Sequence, residues 1–206
     1  MMTTTRTRSD KKREAIISAA RQAFQEFGVI GTSMDKLAEM ASVSKRTVYN
    51  HFSAKEELVM HIVKEQFQNA LVDIDVAYDT QASLQSQLES LIMEEINFVS
   101  ADEHLDLARV VVGHFFYEPE KLKDEVVHLR AQETAMHRWL KAAHQDNRMA
   151  FDDLQQVVNE LDSLIKGQCF WPQVTKIEPA LSAQEKDKIA QSAAALILSR
   201  YEIRQT

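Results

Sequence analysis

The stretch VSKRTVYNHFSAKEEL, from Val43 to Leu58, sets basic, hydroxyl and amide side chains between apolar anchors. Ser44 is placed to cap a short helix in which Val48 and Phe52, four residues apart, share the inward face. Lys45, Arg46, Thr47, Asn50 and His51 are left for the outside. Ser53 and Glu56 have the spacing of a capping box, so a further helix starts almost at once. Reading backwards, Ser42 and Val43 form a tight turn. Ser33 caps a short helix with Met34, Leu37, Ala38 and Ala41 on one face. Before it, Ile16, Ile17, Ala20, Ala23, Phe24 and Phe27 follow helical spacing from about Asp10, with Ser9 as N-cap and Gly28 as terminator. Two short helices joined by a tight turn and braced by a third are the arrangement of a DNA-binding helix-turn-helix.

The chemistry of the outward face suits that task. Lys45 and Arg46 reach phosphates or guanine edges, Asn50 pairs with adenine, and Thr47 bonds a phosphate or touches a thymine methyl. Tyr49 packs its ring below while its hydroxyl meets a phosphate. The N-termini of the second and third helices add free N–H groups. Lys55 opposes the dipole of the helix it opens, a choice that a nearby phosphate explains. Any one of these charges, taken alone, is an ordinary solvated surface charge. The joint pattern of cap, turn, anchors and polar face carries the reading.

The charge distribution agrees. The chain carries a net charge of −7. Residues 1–53 hold nine Lys/Arg against five Asp/Glu, a balance of +4, and the remainder holds 15 against 26, a balance of −11. A basic head on an acidic body suggests that only the head approaches a polyanion.

From Ser53 onward the pattern stays helical. Leu58, Ile62, Phe67, Leu71 and Ile74 carry the fourth helix to about Tyr78. Leu84–Ser100 and Asp102–Phe116 read as the next two. Pro119 fits the first turn of a helix that runs on through Leu129, Met136 and Leu140. Asp152 or Asp153 opens another with Leu154, Val157, Leu161 and Leu164. After a loop with Pro172 and Pro179, Ser182 and Glu185 form a capping box for a final helix holding Ile189, Ala193, Leu196 and Ile197. With only four Gly and three Pro in 206 residues, the chain reads as all-α. Two domains are expected. Residues 1–53 form a basic arm and helix-turn-helix DNA-binding domain, and residues 54–206 a helical effector-binding and dimerisation domain.

Other classes find little support. The lone Cys169 has no disulfide partner, which fits a reducing cytoplasm. The N-terminus lacks a secretory apolar segment, and the Leu105–Tyr117 patch, broken by Asp106, Arg109 and His114, falls short of a membrane span of about 20 residues. No Gly-rich phosphate loop appears, and neither Cys169 nor any serine has an identifiable base partner, so no enzyme is expected. The seven histidines show no pair with the close spacing of a helical metal site. No cofactor is expected.

The stretch TSMDKLAEMASVSKRTVYNHFSAKEEL, Thr32 to Leu58, resembles the helix-turn-helix signature of the TetR family of transcriptional regulators. The likeness lies in Thr32-Ser33, Leu37-Ala38, Val43-Ser44, Thr47-Val48-Tyr49, His51-Phe52, Lys55, Glu56 and Leu58, and it covers about Lys11 to Leu58. It implies that Thr32, Ser33, Ser44, Lys45, Thr47, Tyr49, His51 and Lys55 belong to the DNA-contacting set, with Arg46 and Asn50 at variable positions that select bases. The family usually has Gly where Ser42 stands, and a left-handed backbone there costs Ser about 1 kcal/mol. Arg46 replaces a common small residue. LDLARVVVGHFFYEP and KGQCFWPQ look similar to one C-terminal subgroup.

The resemblance further implies dimers whose C-terminal helices form an effector pocket and a four-helix interface. Pocket candidates are Phe67, Leu71, Leu88, Ile92, Val111, His114, Phe115, Tyr117, Met136 and Trp139, with His114 and Tyr117 as polar orienting groups. Plain core packing is the alternative for each. Interface candidates are Leu161, Leu164, Phe170 and Trp171 opposite Ala193, Leu196, Ile197 and Tyr201. The expectation is a homodimeric, ligand-responsive repressor on a palindromic double-stranded DNA operator, with an unknown small-molecule effector and no membrane. An activator or a ligand-independent architectural DNA binder is the alternative, and a helical small-molecule-binding protein or enzyme a third.

Overall fold

A computed structural model describes residues 7–73, 77–115 and 132–203, which fold as ten helices with no strand among them. They divide into two compact units, Met1–Gln66 with Asp106–Glu125, and Phe67–Leu105 with Val126–Thr206. The expected all-α architecture holds throughout the described residues.

In the first unit, α1 (Arg8–Gly31) begins two residues earlier than Ser9 predicted. Thr7 is the N-cap because Asp10 sits at the position that returns the favour: Thr7 Oγ1 accepts from the Asp10 N–H at 3.1 Å, and the Asp10 carboxylate accepts from the Thr7 N–H at 2.9 Å. Gly28, at φ +69°, breaks the helix before a last short turn. Phe27 therefore leaves the buried stripe and is 39% exposed, with the Lys36 ammonium over its ring. Thr32 closes the turn. It is buried, and its hydroxyl lies within bonding reach of the Gly28 carbonyl (2.9 Å) and the Ala23 carbonyl (3.2 Å).

Then follow α2 (Met34–Met40) and α3 (Lys45–His51), capped by the Ser33 and Ser44 hydroxyls as their spacing predicts. The turn between them places Ser42 at φ +53°, the left-handed conformation where glycine is at ease. The three helices and the start of α4 (Lys55–Asp73) enclose Ile16, Ala20, Ala23, Phe24, Leu37, Val48, Phe52, Leu58 and Ile62. The box expected between Ser53 and Glu56 does not form. The Glu57 carboxylate, one residue on, takes both the N–H and the hydroxyl of Ser53, at 2.7 and 2.9 Å.

The second unit holds α5 (Leu84–Val99), α7 (Ala135–Gln145), α8 (Leu154–Cys169), the single turn α9 (Trp171–Val174) and α10 (Ala183–Tyr201). Asp153 caps α8, and Ser182 with Glu185 forms the expected box on α10. The core runs through Leu88, Ile92, Ile96, Met136, Trp139, Leu140, Val157, Leu161, Ile165, Ala194 and Ile197. The helix expected to run on from Pro119 through Leu140 is interrupted: Gln132–Thr134 is not helical, and α7 starts afresh where Thr134 caps it in a box with His137. Pro119 and Leu129 lie outside the described residues. Helix α4 does not reach Tyr78 either, since Ala77 and Tyr78 are non-helical. Helix α6 (Asp102–Phe115), like α4, has its residues divided between the two units.

Candidate nucleic-acid interface

Helix α3 has a single fully buried residue, Val48, and Phe52 follows it into the same core. That burial fixes the rotation of the helix. Lys45, Arg46, Tyr49 and Asn50 are exposed, and Thr47 and His51 are half-buried. Ser44 spends its Oγ on the Thr47 N–H at 3.1 Å and stands 2.8 Å from the Thr47 hydroxyl, which ties the first turn together. Lys45 pairs with Asp35 of α2 at 2.5 Å across an exposed gap, a contact of small energetic weight. Tyr49 is 51% exposed. Ser33, exposed at the N-cap of α2, accepts from the Lys36 N–H at 3.2 Å.

Two expected contact residues sit elsewhere. Thr32 is buried, with its hydroxyl given to α1 carbonyls, so it shapes the α1–α2 junction and offers DNA no side chain. Lys55 is partly buried, and its ammonium donates to the Val29 carbonyl at 2.7 Å and the Thr32 carbonyl at 3.1 Å. It caps the end of α1, which explains a cation at the start of α4 without a phosphate. A third residue braces the motif from behind. Arg13 of α1 stacks on the Phe52 ring at 5.0 Å and its guanidinium reaches His61 of α4 at 3.3 Å. Burial and the neighbouring Arg13 hold the His61 imidazole below the usual histidine range.

The pocket candidates scatter. Leu88, Ile92, Met136 and Trp139 share the closed core of the second unit. Val111 packs against the core of the first unit, so it is no part of that cluster. Tyr117 and the side chains of Phe67, Leu71, His114 and Phe115 lie outside the described residues. Of the interface candidates, Leu161, Ala193, Ile197 and Tyr201 are buried within the chain's own core, because each falls on the inner stripe of its helix. Trp171 and Leu196 remain about half exposed, at 49% and 54%. Among the described residues no three His, Cys, Asp or Glu side chains cluster as a metal site, and no helix is long and apolar enough to cross a membrane.

Polar groups that periodicity passed over lie inside the second unit. Gln87, on the inner face of α5 among Leu84, Leu88 and Leu91, bonds the Trp139 indole N–H at 3.2 Å. A glutamine on an apolar stripe was the signal that the sequence offered. Nearby in chain order, Glu95 is pushed up to about 7 by burial and then by the Asp162 carboxylate. Asp162 itself pairs with Lys166 at 2.7 Å. His104 lies between the rings of Phe98 (4.6 Å) and Phe170 (5.9 Å), and burial pushes it down to about 4.

Comparison with known proteins converges on this geometry. Residues 16–62 match the family described as bacterial regulatory proteins, tetR family. Residues 86–203 match the AefR-like transcriptional repressor, C-terminal domain. A TetR family transcriptional regulator from Pseudomonas syringae pv. tomato has a similar structure, with TM-score 0.75 and 37% identity over 95% of this chain and 99% of that one. The transcriptional activator FasR of Mycolicibacterium smegmatis is 28% identical over 93 residues, 45% of this chain and 42% of FasR. The transcriptional regulator RutR of Escherichia coli K12 is 39% identical over 54 residues, 26% of each chain. This chain thus aligns with less than half the length of either of those two relatives. The fold and the exposed face of α3 define a helix-turn-helix DNA-binding regulator, not an enzyme. More specifically, the chain belongs to the TetR family, with a C-terminal domain of the AefR-like kind.

Proposed function

We propose that this protein is a cytoplasmic, ligand-responsive repressor that binds a palindromic operator as a homodimer. Residues 1–53 serve as its DNA-binding domain and residues 54–206 as its effector and dimerisation domain. The observation that carries the reading is α3 itself: one buried anchor, a capped first turn and an exposed row of Lys45, Arg46, Tyr49 and Asn50. Arg46 and Asn50 read base edges. Ser33, Ser44, Lys45, Thr47, Tyr49 and His51 hold the phosphates and the register. Thr32 and Lys55 act from behind by fixing the end of α1. The exposed Trp171 and Leu196 mark the surface offered to a second copy. An effector enters the second unit among Leu88, Ile92, Met136 and Trp139, and favours a state of lower operator affinity.

Repression follows the wording of the matched C-terminal family, whereas the name of FasR favours activation as the second reading. Selection of genomic DNA with the full-length protein separates them. Recovered sites overlapping promoters mean repression, and sites upstream of them mean activation. The recovered duplex should lose about a thousandfold in affinity between 50 and 200 mM salt. Arg46→Ala and Asn50→Ala should each relax the sequence preference by about 1–3 kcal/mol at single positions. Binding that ignores salt, or no selected sequence at all, would sink the DNA-reading role.

A further inference from the structure

Phe52, the residue that ends α3, is held by more than the apolar core of the first unit. Its N–H donates to the Val48 carbonyl at 2.9 Å, and the residue is buried. The Arg13 guanidinium of α1 lies over its ring, 5.0 Å from the centroid. The same guanidinium sets its two outer nitrogens 3.3 and 3.4 Å from Nε2 and Nδ1 of His61, in the second turn of α4. The Phe52 and His61 rings stand 5.9 Å apart, inclined at 47°. Arg13, Phe52 and His61 thus close a triangle in which each faces the other two.

A guanidinium only donates, so its hydrogen bond to the imidazole needs a lone pair on the ring. The neutral ring supplies one. A protonated ring carries N–H on both nitrogens and sets a positive charge against that of Arg13. Other charged groups face the ring from both helices: Arg21 of α1, and Lys64 and Glu65 of α4. The Glu65 carboxylate stands 3.8 Å from Nε2 and pairs with Arg21 at 3.1 Å. Protonation therefore turns His61 away from Arg13 and towards Glu65. Burial, and then the charge of Arg13, hold the imidazole below its usual 6.5, so the change falls at mildly acid pH.

We propose that Arg13 is a positioning residue for DNA binding, which seats Phe52 and the last turn of α3 only while His61 is neutral. The inference rests on the reading of α3 given above. Tyr49 and Asn50 share that last turn, so a shift at Phe52 tilts the exposed row offered to the groove. Arg13 acts through Phe52 and needs no contact with DNA. With His61 neutral, the guanidinium is pinned between the two rings and α3 keeps one inclination. With His61 charged, the like charges part and the cover over Phe52 opens. Helix α3 must then be ordered again on each operator, which lowers affinity.

The test uses the full-length protein and the duplex recovered by selection, at fixed salt. His61→Gln keeps an amide oxygen that accepts from Arg13 and does not titrate. Between about pH 7.5 and pH 5.5 the wild type should lose about fivefold in operator affinity relative to that variant. The comparison cancels His51, a proposed phosphate contact present in both proteins. Arg13→Gln should bind about fivefold more weakly at pH 7.5 with the salt slope unchanged, and its pH response should match that of His61→Gln. Parallel pH profiles for the wild type and His61→Gln would overturn the inference, and they decide it alone if Arg13→Gln does not fold. An Arg13→Gln protein that keeps the wild-type pH response marks a merely structural brace and also overturns it. A salt slope reduced by about one in Arg13→Gln does the same, since Arg13 would then hold a phosphate itself. If the wild type selects no duplex, the DNA-binding reading falls and takes this inference with it.

Discussion

A lysine at the start of a helix faces the wrong end of the dipole, and Lys55 shows where the compensation lies. Its acceptors, Val29 and Thr32, are 26 and 23 residues away in sequence. No local pattern reveals them, so the sequence suggested a phosphate. Thr32 misled in the same way: its hydroxyl looks available until the fold turns it onto Ala23 and Gly28. By contrast Val48, Phe52 and the exposed row around them were legible, because one helical period decides both faces. The two roles for Lys55 separate cleanly. Removing a charged, partly buried donor from two carbonyls costs about 1–3 kcal/mol. Lys55→Ala should therefore lower the urea midpoint of the isolated protein, whereas a lysine reserved for phosphate would leave it in place.

Among the elements, local caps were readable where one serine or aspartate opens the apolar stripe, and not where two candidates compete or the partner is unusual. Ser33, Ser44, Asp153 and Ser182 each serve the helix that their spacing announces. Ser9 lost to Thr7 because the reciprocal bond with Asp10 favours the earlier start. The break before α7 escaped notice because the box at Thr134 uses His137, an unusual partner for that position. The α2–α3 turn was legible in a different sense, since the departure at Ser42 foretold its strain. With φ at +53°, Ser42→Gly should raise stability by up to about 1 kcal/mol, set against the added freedom of glycine in the unfolded chain. A thermal melt that shifted down instead would mean that the serine side chain contributes more than the strain costs.

For the whole molecule, the pH dependence of stability carries opposing contributions from two half-buried ionisable groups. Glu95 binds its proton more tightly folded, at about 7 against 4.5. It therefore favours the native state at low pH and loses that contribution as pH climbs from about 4.5 through 7. His104 does the reverse, with a folded value near 4 against 6.5, so its contribution is full above about 6.5 and fades as pH falls through 4. Glu95→Gln should raise the melting temperature at pH 8 and leave it nearly unchanged at pH 4.5. His104→Phe should flatten the loss below pH 6. Equal effects at all pH values in either variant would contradict these assignments. In the sequence Glu94 and Glu95 are adjacent and alike; only the packing of α5 beside Asp162 separates the two.

The fastening of α1 by Lys55 also bears on the electric field at the reading face. A helix ends in carbonyls that amount to roughly half a negative charge, and at 0.1 M salt such a pole is felt over about 10 Å. The end of α1 adjoins Ser33, a proposed phosphate contact, where that pole would repel the DNA backbone. Gly28 ends the long helix before the Val29 and Thr32 carbonyls, so an ammonium seated on them offsets only the local negative charge of the junction. On the proposed reading, Lys55 would favour a polyanion without touching it, by lessening the negative charge that the junction presents beside Ser33.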